Sequence, residues 1–256
     1  MDWQTRRKVL YFLATLFTLV ATTVYLMRDT IFPAPTCFDN KQNGFEIGVD
    51  CGGTCSLRCS SEVVPLSVLW VRSLPVSGNR YDFVGMVSNK NINNAAHEVS
   101  YTFSLYGADG SVVQEIKGTT ATPINGDFPI VRQSISILKP FKSVVLTLGD
   151  GSHYSVHEKT TSPTVITSNP EYSVTDRSRV YVAVQNRKLM TIRDLPVNVI
   201  LYDENNNAYA VGSTVIPTLG KEEIKKAVFV WETPLPFAPT RIRVYPIFDP
   251  FLAYTP

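Results

Sequence analysis

Four cysteines are the side chains of this chain best suited to forming covalent bonds or binding a metal. All lie within a segment of 23 residues, at Cys37, Cys51, Cys55 and Cys59. An even, compact set in an oxidising compartment predicts two disulfides, for which three pairings are possible. Zinc sites more often use C-x2-C pairs of thiolates, so the C-x3-C-x3-C spacing fits zinc less well. We therefore expect disulfides and leave their pairing open.

Oxygen-bearing side chains after the first cysteine repeat part of the spacing of a calcium-binding loop. Counting from Asp39, Asn43 and Asp50 take positions 5 and 12, and Gly44 takes position 6. Lys41 occupies position 3, where such a loop needs an oxygen ligand. Asp and Asn also form turns in loops of this kind. Asp39, Asn43 and Asp50 are therefore weak candidate calcium ligands, with turn formation as the expected role.

No other residues have a spacing that predicts an active site. His153 and His157 would lie about 13 Å apart on one face of a strand, too far apart to bind one metal ion. The sequence contains no G-x-S-x-G, G-x-G-x-x-G or P-loop motif. Solvation and turn formation account for the adjacent acids at 203–204 and 222–223. We predict a non-enzymatic protein with no catalytic residue and no cofactor.

An uncharged segment before the cysteines predicts where they are located. Residues 9–27 contain no charged side chain, and Arg6, Arg7 and Lys8 precede them. Nineteen helical residues span about 28 Å, close to the hydrocarbon thickness of a bilayer. Basic flanks stay in the cytoplasm, so residues 1–8 are expected to be a cytoplasmic stub and the chain after residue 27 extracytoplasmic.

The uncharged segment fits an uncleaved anchor better than a signal peptide. A signal peptide has an apolar core of about 7–15 residues followed by a cleavage site such as Ala-x-Ala. Here the apolar segment is longer, and no such site follows it. We expect a single-pass membrane protein that contacts the lipid bilayer through residues 9–27, with a cleaved signal peptide as the alternative.

The charge of the chain gives no indication of a nucleic-acid partner. The net charge is +2, and three positive side chains precede the uncharged segment. The remainder is close to neutral, whereas nucleic-acid binding needs a clustered positive surface. We therefore expect a protein partner of unknown identity, bound through strand edges or aromatic patches.

Beyond the cysteines, the pattern is typical of β-strands separated by Gly, Asn, Asp and Pro. Tyr101, Phe103 and Leu105 alternate with polar residues, and alternating apolar residues also run from Leu195 to Leu201. The predicted fold is mainly β, with one transmembrane helix, a small disulfide-rich stalk and two tandem immunoglobulin-like β-sandwiches. The predicted bounds are 28–61 for the stalk, 62–160 for the first sandwich and 161–256 for the second, with a Thr/Ser/Pro-rich boundary at 159–173.

The two β-rich halves also match in sequence, which predicts a tandem repeat of about 95 residues. Three pairs of segments occur in the same order: 83–89 with 180–186, 103–110 with 199–206, and 118–120 with 212–214.

Two motifs resemble known families. The string GVDCGGTC, with the Asn-Gly and Glu before it, resembles a cysteine-rich stalk module of bacterial surface and secreted proteins. FSLYGADG and VILYDENN resemble the FxLYD module, an immunoglobulin-like domain of bacterial surface proteins. The first copy has Gly107 in place of Asp, and the second has Val199 in place of Phe. The resemblance implies a β-sandwich whose motif residues are structural.

These observations predict an interaction or structural protein of the bacterial cell envelope. Its role would be that of a spacer, an adhesin or a subunit of a complex. The alternative is a surface module that binds a glycan or a solute, which would require a concave patch of Trp, Tyr and Asn side chains.

Overall fold

The computed structural model describes residues 3–31, 34–92, 94–96, 98–149, 154–156 and 165–248. The chain divides into two compact units, residues 1–55 and 56–256. His97, His153, His157, residues 159–164 of the predicted boundary and residues 249–256 lie outside the described residues. The rest of that boundary, 165–173, contains two short strands in place of a continuous linker. The predicted domain bounds at 61 and 160 stay predictions.

The first unit begins with a long apolar helix, α1 (Trp3–Leu26), followed by the short α2 (Arg28–Ile31). No residue of α1 is buried, and the helix is long and apolar enough to cross a membrane. Threonine hydroxyls on α1 donate to backbone carbonyls of the preceding turn, as Thr22 does to Thr18 (2.7 Å) and Thr23 to Leu19 (2.9 Å). These bonds satisfy the hydroxyl donors inside the helix, which a lipid environment requires.

The rest of the first unit is a loop held by a disulfide. Cys37 is bonded to Cys55, with the two Cα atoms 5.7 Å apart. Cys51 and Cys59 are disulfide-bonded as well, which confirms the prediction of two disulfides. Gly53 has a positive φ of 60°, and a Cβ there would lie 1.8 Å from the carbonyl oxygen of Phe45. Only glycine fits this close approach.

The second unit is built from antiparallel strands, which confirms the predicted mainly β class with β-sandwiches. Its strands are β1 (Leu57–Arg58), β2 (Ser67–Ser77), β3 (Arg80–Asn89), β4 (Asn94–Ala96), β5 (Val99–Tyr106), β6 (Val112–Thr120), β7 (Gly126–Ser136), β8 (Ser143–Leu148), β9 (Tyr154–Val156), β10 (Val165–Thr167), β11 (Glu171–Val174), β12 (Ser178–Asn186), β13 (Ile192–Tyr202), β14 (Ala208–Leu219), β15 (Ile224–Val230) and β16 (Arg241–Pro246). A 3-10 turn, Ser60–Glu62, follows β1.

Four of the sheets form two sandwiches. The first sandwich packs the sheet β2-β3-β7 against the sheet β6-β5-β8. Its core contains Phe83, Phe103 and Phe128, whose exposed fractions are 1% or less. The second sandwich packs β10-β12-β11, with β15 on the other side of β12, against β14-β13-β16. Its core contains valines of β12 and β13 and Phe229. A small sheet, β1-β9-β4, completes the unit.

The two sandwiches share one order of strands. β3, β5, β6, β7 and β8 of the first sandwich pair with one another as β12, β13, β14, β15 and β16 do in the second. Both central strands, β5 and β13, shift register just before a turn, at Leu105/Tyr106 and Leu201/Tyr202. Both turns place a residue with positive φ at the equivalent position, Gly110 (79°) and Asn206 (63°).

The same comparison corrects one of the three predicted pairs of segments. Phe103 lies opposite Ile116, whereas its counterpart Val199 lies opposite Gly212. Gly212 is therefore equivalent to Ile116 rather than to Gly118. The turns after Leu105 and Leu201 have the same length, so each following strand pairs with its central strand in the same register. The predicted match of 118–120 with 212–214 is therefore wrong in register.

A fully buried asparagine at the end of β3, Asn89, has a counterpart at the end of β12, Asn186. The Asn89 carboxamide donates to the carbonyls of Asn94 (2.9 Å) and Pro123 (2.8 Å). The Asn186 carboxamide donates to those of Met190 (2.6 Å) and Gly220 (2.9 Å). Asn89 thus ties the end of β3 to the start of β4 and to the loop after β6, and Asn186 ties the end of β12 to the segments that follow β12 and β14.

Replacing Asn186 with aspartate is expected to lower the free energy of unfolding by about 2–4 kcal/mol at neutral pH, since a carboxylate cannot donate and its charge would be buried. Chemical denaturation followed by tryptophan fluorescence measures the change. Asn205, exposed in the turn after β13, provides the control; Asn205→Asp should change the value by less than about 0.5 kcal/mol. Equal effects of the two substitutions would contradict the assigned role of Asn186.

A third apolar cluster joins the two sandwiches face to face. Leu74, Val84 and Met86 of the first sandwich contact residues of β13 and β14 in the second, namely Ile200, Tyr202, Ala208 and Val211. The strands β3 and β13 are consequently buried on both faces over most of their length. The four sheets of the two sandwiches are therefore stacked on one another.

Polar side chains reinforce this contact at the strand edges. The Gln133 carboxamide on β7 donates to the Val211 carbonyl (3.3 Å) and accepts from the Ser213 N–H (2.9 Å), so it pairs with the edge of β14 as a strand would. Arg80 and Glu232 form an ion pair between the sandwiches (2.8 Å). Edge strands need such covering because their free amides pair readily with other chains.

A buried carboxyl group lies behind this polar contact. Asp82 is 6% exposed, and its carboxylate accepts the Ser134 N–H at 2.7 Å. Burial raises the pKa of Asp82, and the hydrogen bonds from Ser134 and Gln133 and the nearby Arg80 offset part of this rise. The charged form of Asp82 is therefore disfavoured in the folded state.

Because the pKa of Asp82 is higher in the folded than in the unfolded chain, its contribution to stability is present at low pH and is lost as pH rises through the folded pKa. Asp82→Asn keeps an acceptor for Ser134 and removes this loss. We expect the variant to be at least as stable as the parent at pH 7. At pH 4 the difference in stability between variant and parent should shift in favour of the parent. Thermal unfolding across this pH range is the measurement. A parallel pH profile for both proteins would contradict it.

Candidate functional site

A cleft of about 460 Å³ lies between the two sandwiches of the second unit. The first sandwich contributes Glu98 and Tyr101, the end of β6 with Ala121, and part of β7. The second contributes the first half of β13, Ser213 of β14, and Ile247 and Phe248 after β16. The volume lies in the range of ligand pockets, about 300–1,000 Å³.

A left-handed residue in β13 shapes one wall of the cleft. Asp194 has a φ of 47°, which is uncommon for a strand residue other than glycine. Ile192 and Leu195, three residues apart, both point into the core of the second sandwich, although strict alternation would place them on opposite faces. The conformation of Asp194 thus leaves Arg193 and Asp194 exposed in the cleft.

The cleft combines polar and apolar groups. Its exposed charged side chains are Glu98, Arg193 and Asp194, and the Asn198 side chain, 7% exposed, also faces it. Tyr101 is 6% exposed and packs over Gly118, where a Cβ would come within 2.6 Å of the ring. Of its apolar residues, Val131 and Phe248 are half-buried, whereas Ile130, Leu195 and Ile247 are buried in the sandwich cores. Such a lining can bind a ligand that has both apolar and polar groups.

Several cleft residues belong to strands with an unpaired edge. In the sheet orders, β6, β7 and β14 are edge strands. The strand β16 stops pairing with β13 at Val197, and the Ile247 N–H donates to the Pro196 carbonyl (2.8 Å). Among the described residues, the stretch of β13 before Pro196 therefore pairs with β14 alone.

The candidate calcium ligands lie elsewhere, in the first unit. Asp50 accepts the backbone N–H groups of Asp39 (2.9 Å) and Asn40 (2.9 Å). Asp39 accepts the Lys41 N–H (3.0 Å) and the Asn43 amide (2.8 Å), and the bond from Asn43 is the main cause of a lowered pKa of Asp39. These bonds explain the residues as loop formers. Calcium binding by Asp39, Asn43 and Asp50 stays a prediction.

The disulfide also bears on a second possible group of metal ligands. Glu46 lies close to the sulfur atoms of Cys37 and Cys55, with all ligand atoms within 4.8 Å of one another. Because the two sulfurs are bonded to each other, neither is a thiolate that could bind zinc.

The acidic pairs singled out in the sequence form turns. Asp203 accepts the Asn207 N–H (2.7 Å), and Glu223 accepts the Gly220 N–H (2.6 Å), a bond that lowers the pKa of Glu223. The cleft residues were not predicted. Glu98 is far in sequence from the other three residues, and Arg193, Asp194 and Asn198 lie in a strand. The sequence signal for this site is the Arg193-Asp194 pair, which interrupts the alternation of apolar residues in that strand.

Comparisons with known proteins assign no family. Neither a protein-family model nor a curated protein matches the chain. Among solved structures, a transglutaminase of red sea bream is 12% identical with a TM-score of 0.23, over 72% of this chain and 29% of that one. An N-terminal CBM22 tandem domain from Paenibacillus barcinonensis is 10% identical with a TM-score of 0.16, over 71% and 85%. Both TM-scores are too low to transfer a fold or an activity, so the two motif resemblances stay predictions.

Proposed function

We propose that this chain is a membrane-anchored, non-enzymatic interaction protein of the cell envelope. Helix α1 would be an uncleaved signal anchor with its N-terminus in the cytoplasm, and the rest of the chain would be extracytoplasmic. Its role would be that of a spacer, an adhesin or a subunit of a complex. The observation that carries the proposal is α1 itself, because an apolar helix of 24 residues with none buried needs a bilayer around it.

Two further features support this proposal. Disulfides form and persist in oxidising compartments, so the bonded cysteines fit an extracytoplasmic location. The shared strand order, the matching turns and the paired Asn89 and Asn186 support a duplicated β-sandwich unit. The two sandwiches are joined through a buried apolar face, so the β unit can present surfaces of both sandwiches to one partner.

A location experiment tests the anchor. The full chain, with an epitope tag after residue 256, is made in cells whose outer surface is open to added protease. The proposal expects the tag to be digested in intact cells and the protein to stay in the membrane fraction after an alkaline wash. A tag protected from the protease, or a chain released into the medium without α1, would contradict it.

A crosslinking experiment tests the interaction. A photoreactive amino acid is placed at exposed positions on both sandwiches of the anchored chain, and crosslinked proteins are identified by mass spectrometry. The proposal expects one protein to be recovered repeatedly from neighbouring positions. A version without α1 provides the control, because loss of the anchor should reduce the yield. Recovery of no specific protein at any position would overturn the proposal.

A further inference from the structure

We infer that the cleft between the sandwiches binds an extended peptide segment that carries a basic side chain. The inference rests on the proposed interaction function and names its site and the chemistry of its partner. It combines three observations on the described residues: open strand edges, an apolar lining and an excess of negative charge.

The open edges supply backbone hydrogen bonds. Thr119 and Thr120 are the last residues of β6, and Ala121 follows them. The strand β6 pairs with β5 on one side and has no partner on its other side among the described strands. Across the cleft, residues 192–195 of β13 extend beyond the last pair with β16. Unpaired N–H and C=O groups on both walls can bond to the backbone of an added strand, the mode called β-augmentation.

The open edges favour a peptide over a sugar, because their backbone groups can pair with those of an extended strand. Val131 and Phe248, both half-buried, form an apolar surface in the cleft, whereas Ile130 and Leu195 are buried in the sandwich cores. An apolar side chain of an extended peptide can contact Val131 and Phe248, while its other side chains reach the rim.

The charges at the rim select a basic side chain. Glu98 and Asp194 carry negative charge, and Arg193 carries the one positive charge among the cleft residues described. The left-handed backbone of Asp194 leaves its side chain exposed in the cleft. A lysine or arginine side chain can form a charge-assisted hydrogen bond with either carboxylate.

The experiment uses the full chain in lipid nanodiscs. A random library of N-acetylated, C-amidated octapeptides and a panel of neutral oligosaccharides are the probes. The inference expects the library to be enriched for one basic residue between apolar ones. The double variant Glu98→Gln, Asp194→Asn should bind the selected peptide about tenfold or more weakly. Asn tolerates a left-handed backbone, so this variant keeps the shape of the cleft.

Glu115→Gln is the matched control, because Glu115 is an exposed carboxylate on β6 of the same sandwich and is not part of the cleft. Its affinity for the selected peptide should equal that of the parent. Three results would overturn the inference. The first is a library with no positional selection, and the second is an equal loss of peptide affinity in Glu115→Gln and in the double variant. The third is binding of an oligosaccharide instead of peptides, if the double variant abolishes that binding.

The outcome separates this inference from the proposed function. If crosslinking in cells captures a partner whose yield is the same in the parent and the double variant, the interaction function stands and the peptide cleft is wrong. If the cleft selects peptides but no partner is captured in cells, the peptide site stands and the proposed function fails.

Discussion

Replacing Ile200 with alanine is expected to lower the free energy of unfolding of the β unit by about 2–5 kcal/mol, the range for large-to-small changes in a core. Ile200 is fully buried, and it lies in the cluster between the sandwiches rather than inside either one. Truncation removes apolar contacts from both sheets that meet there and leaves a cavity. Denaturant unfolding of the full chain in detergent, followed by tryptophan fluorescence, gives the change.

Two neighbours of Ile200 provide matched controls. Leu201 is equally buried but points into the core of the second sandwich, so Leu201→Ala should cost a similar amount. Val215 on β14 is 52% exposed, and Val215→Ala should cost less than about 0.5 kcal/mol. If Ile200→Ala behaves like Val215→Ala while Leu201→Ala is costly, the sandwiches do not pack face to face.

The residues around Ile200 show how far alternation predicts burial. The alternation Leu195, Val197, Val199, Leu201 identifies the face of β13 that packs inside the second sandwich. The same alternation predicts that Ile200 and Tyr202 face solvent, but both are buried between the two sandwiches. The run of four apolar residues from Val199 to Tyr202 is the signal for burial on two faces, since a strand covered on both sides loses its alternation. The run 83–87 on β3 carries the same signal.

The cleft could not be predicted for a different reason. Its walls come from strands of two sandwiches, and their contact depends on the packing of whole sheets rather than on any local pattern. The conformation of Asp194 is also a tertiary feature, because aspartate tolerates a positive φ but does not require one. By contrast, the apolar helix and the cysteine cluster are local in sequence, and both were predicted from composition and spacing.

The second large effect is expected at the disulfide between Cys37 and Cys55. In the chain-entropy description, a bond that closes a loop of this size, with a sequence separation of 18, contributes about 3 kcal/mol. Apolar packing adds little, since Phe45, Ile47 and Val49 are each more than half exposed, so the loop depends on this bond and on the disulfide that includes Cys51. A segment without an apolar core depends on its crosslinks. Replacing both Cys37 and Cys55 with serine should therefore unfold this loop while the β unit keeps its denaturation midpoint.

Limited proteolysis of the full chain measures this effect directly. Cleavage between residues 38 and 54 should be at least tenfold faster in the double serine variant, because an open loop fits a protease and a closed one does not. Phe38→Ser, at a residue that is 76% exposed, should leave the rate unchanged. A fall in the midpoint of the β unit would contradict the expectation that the bond between Cys37 and Cys55 stabilises only the loop. An unchanged cleavage rate would show that the remaining disulfide of Cys51 and the turns formed by Asp39 and Asp50 hold the loop without this bond.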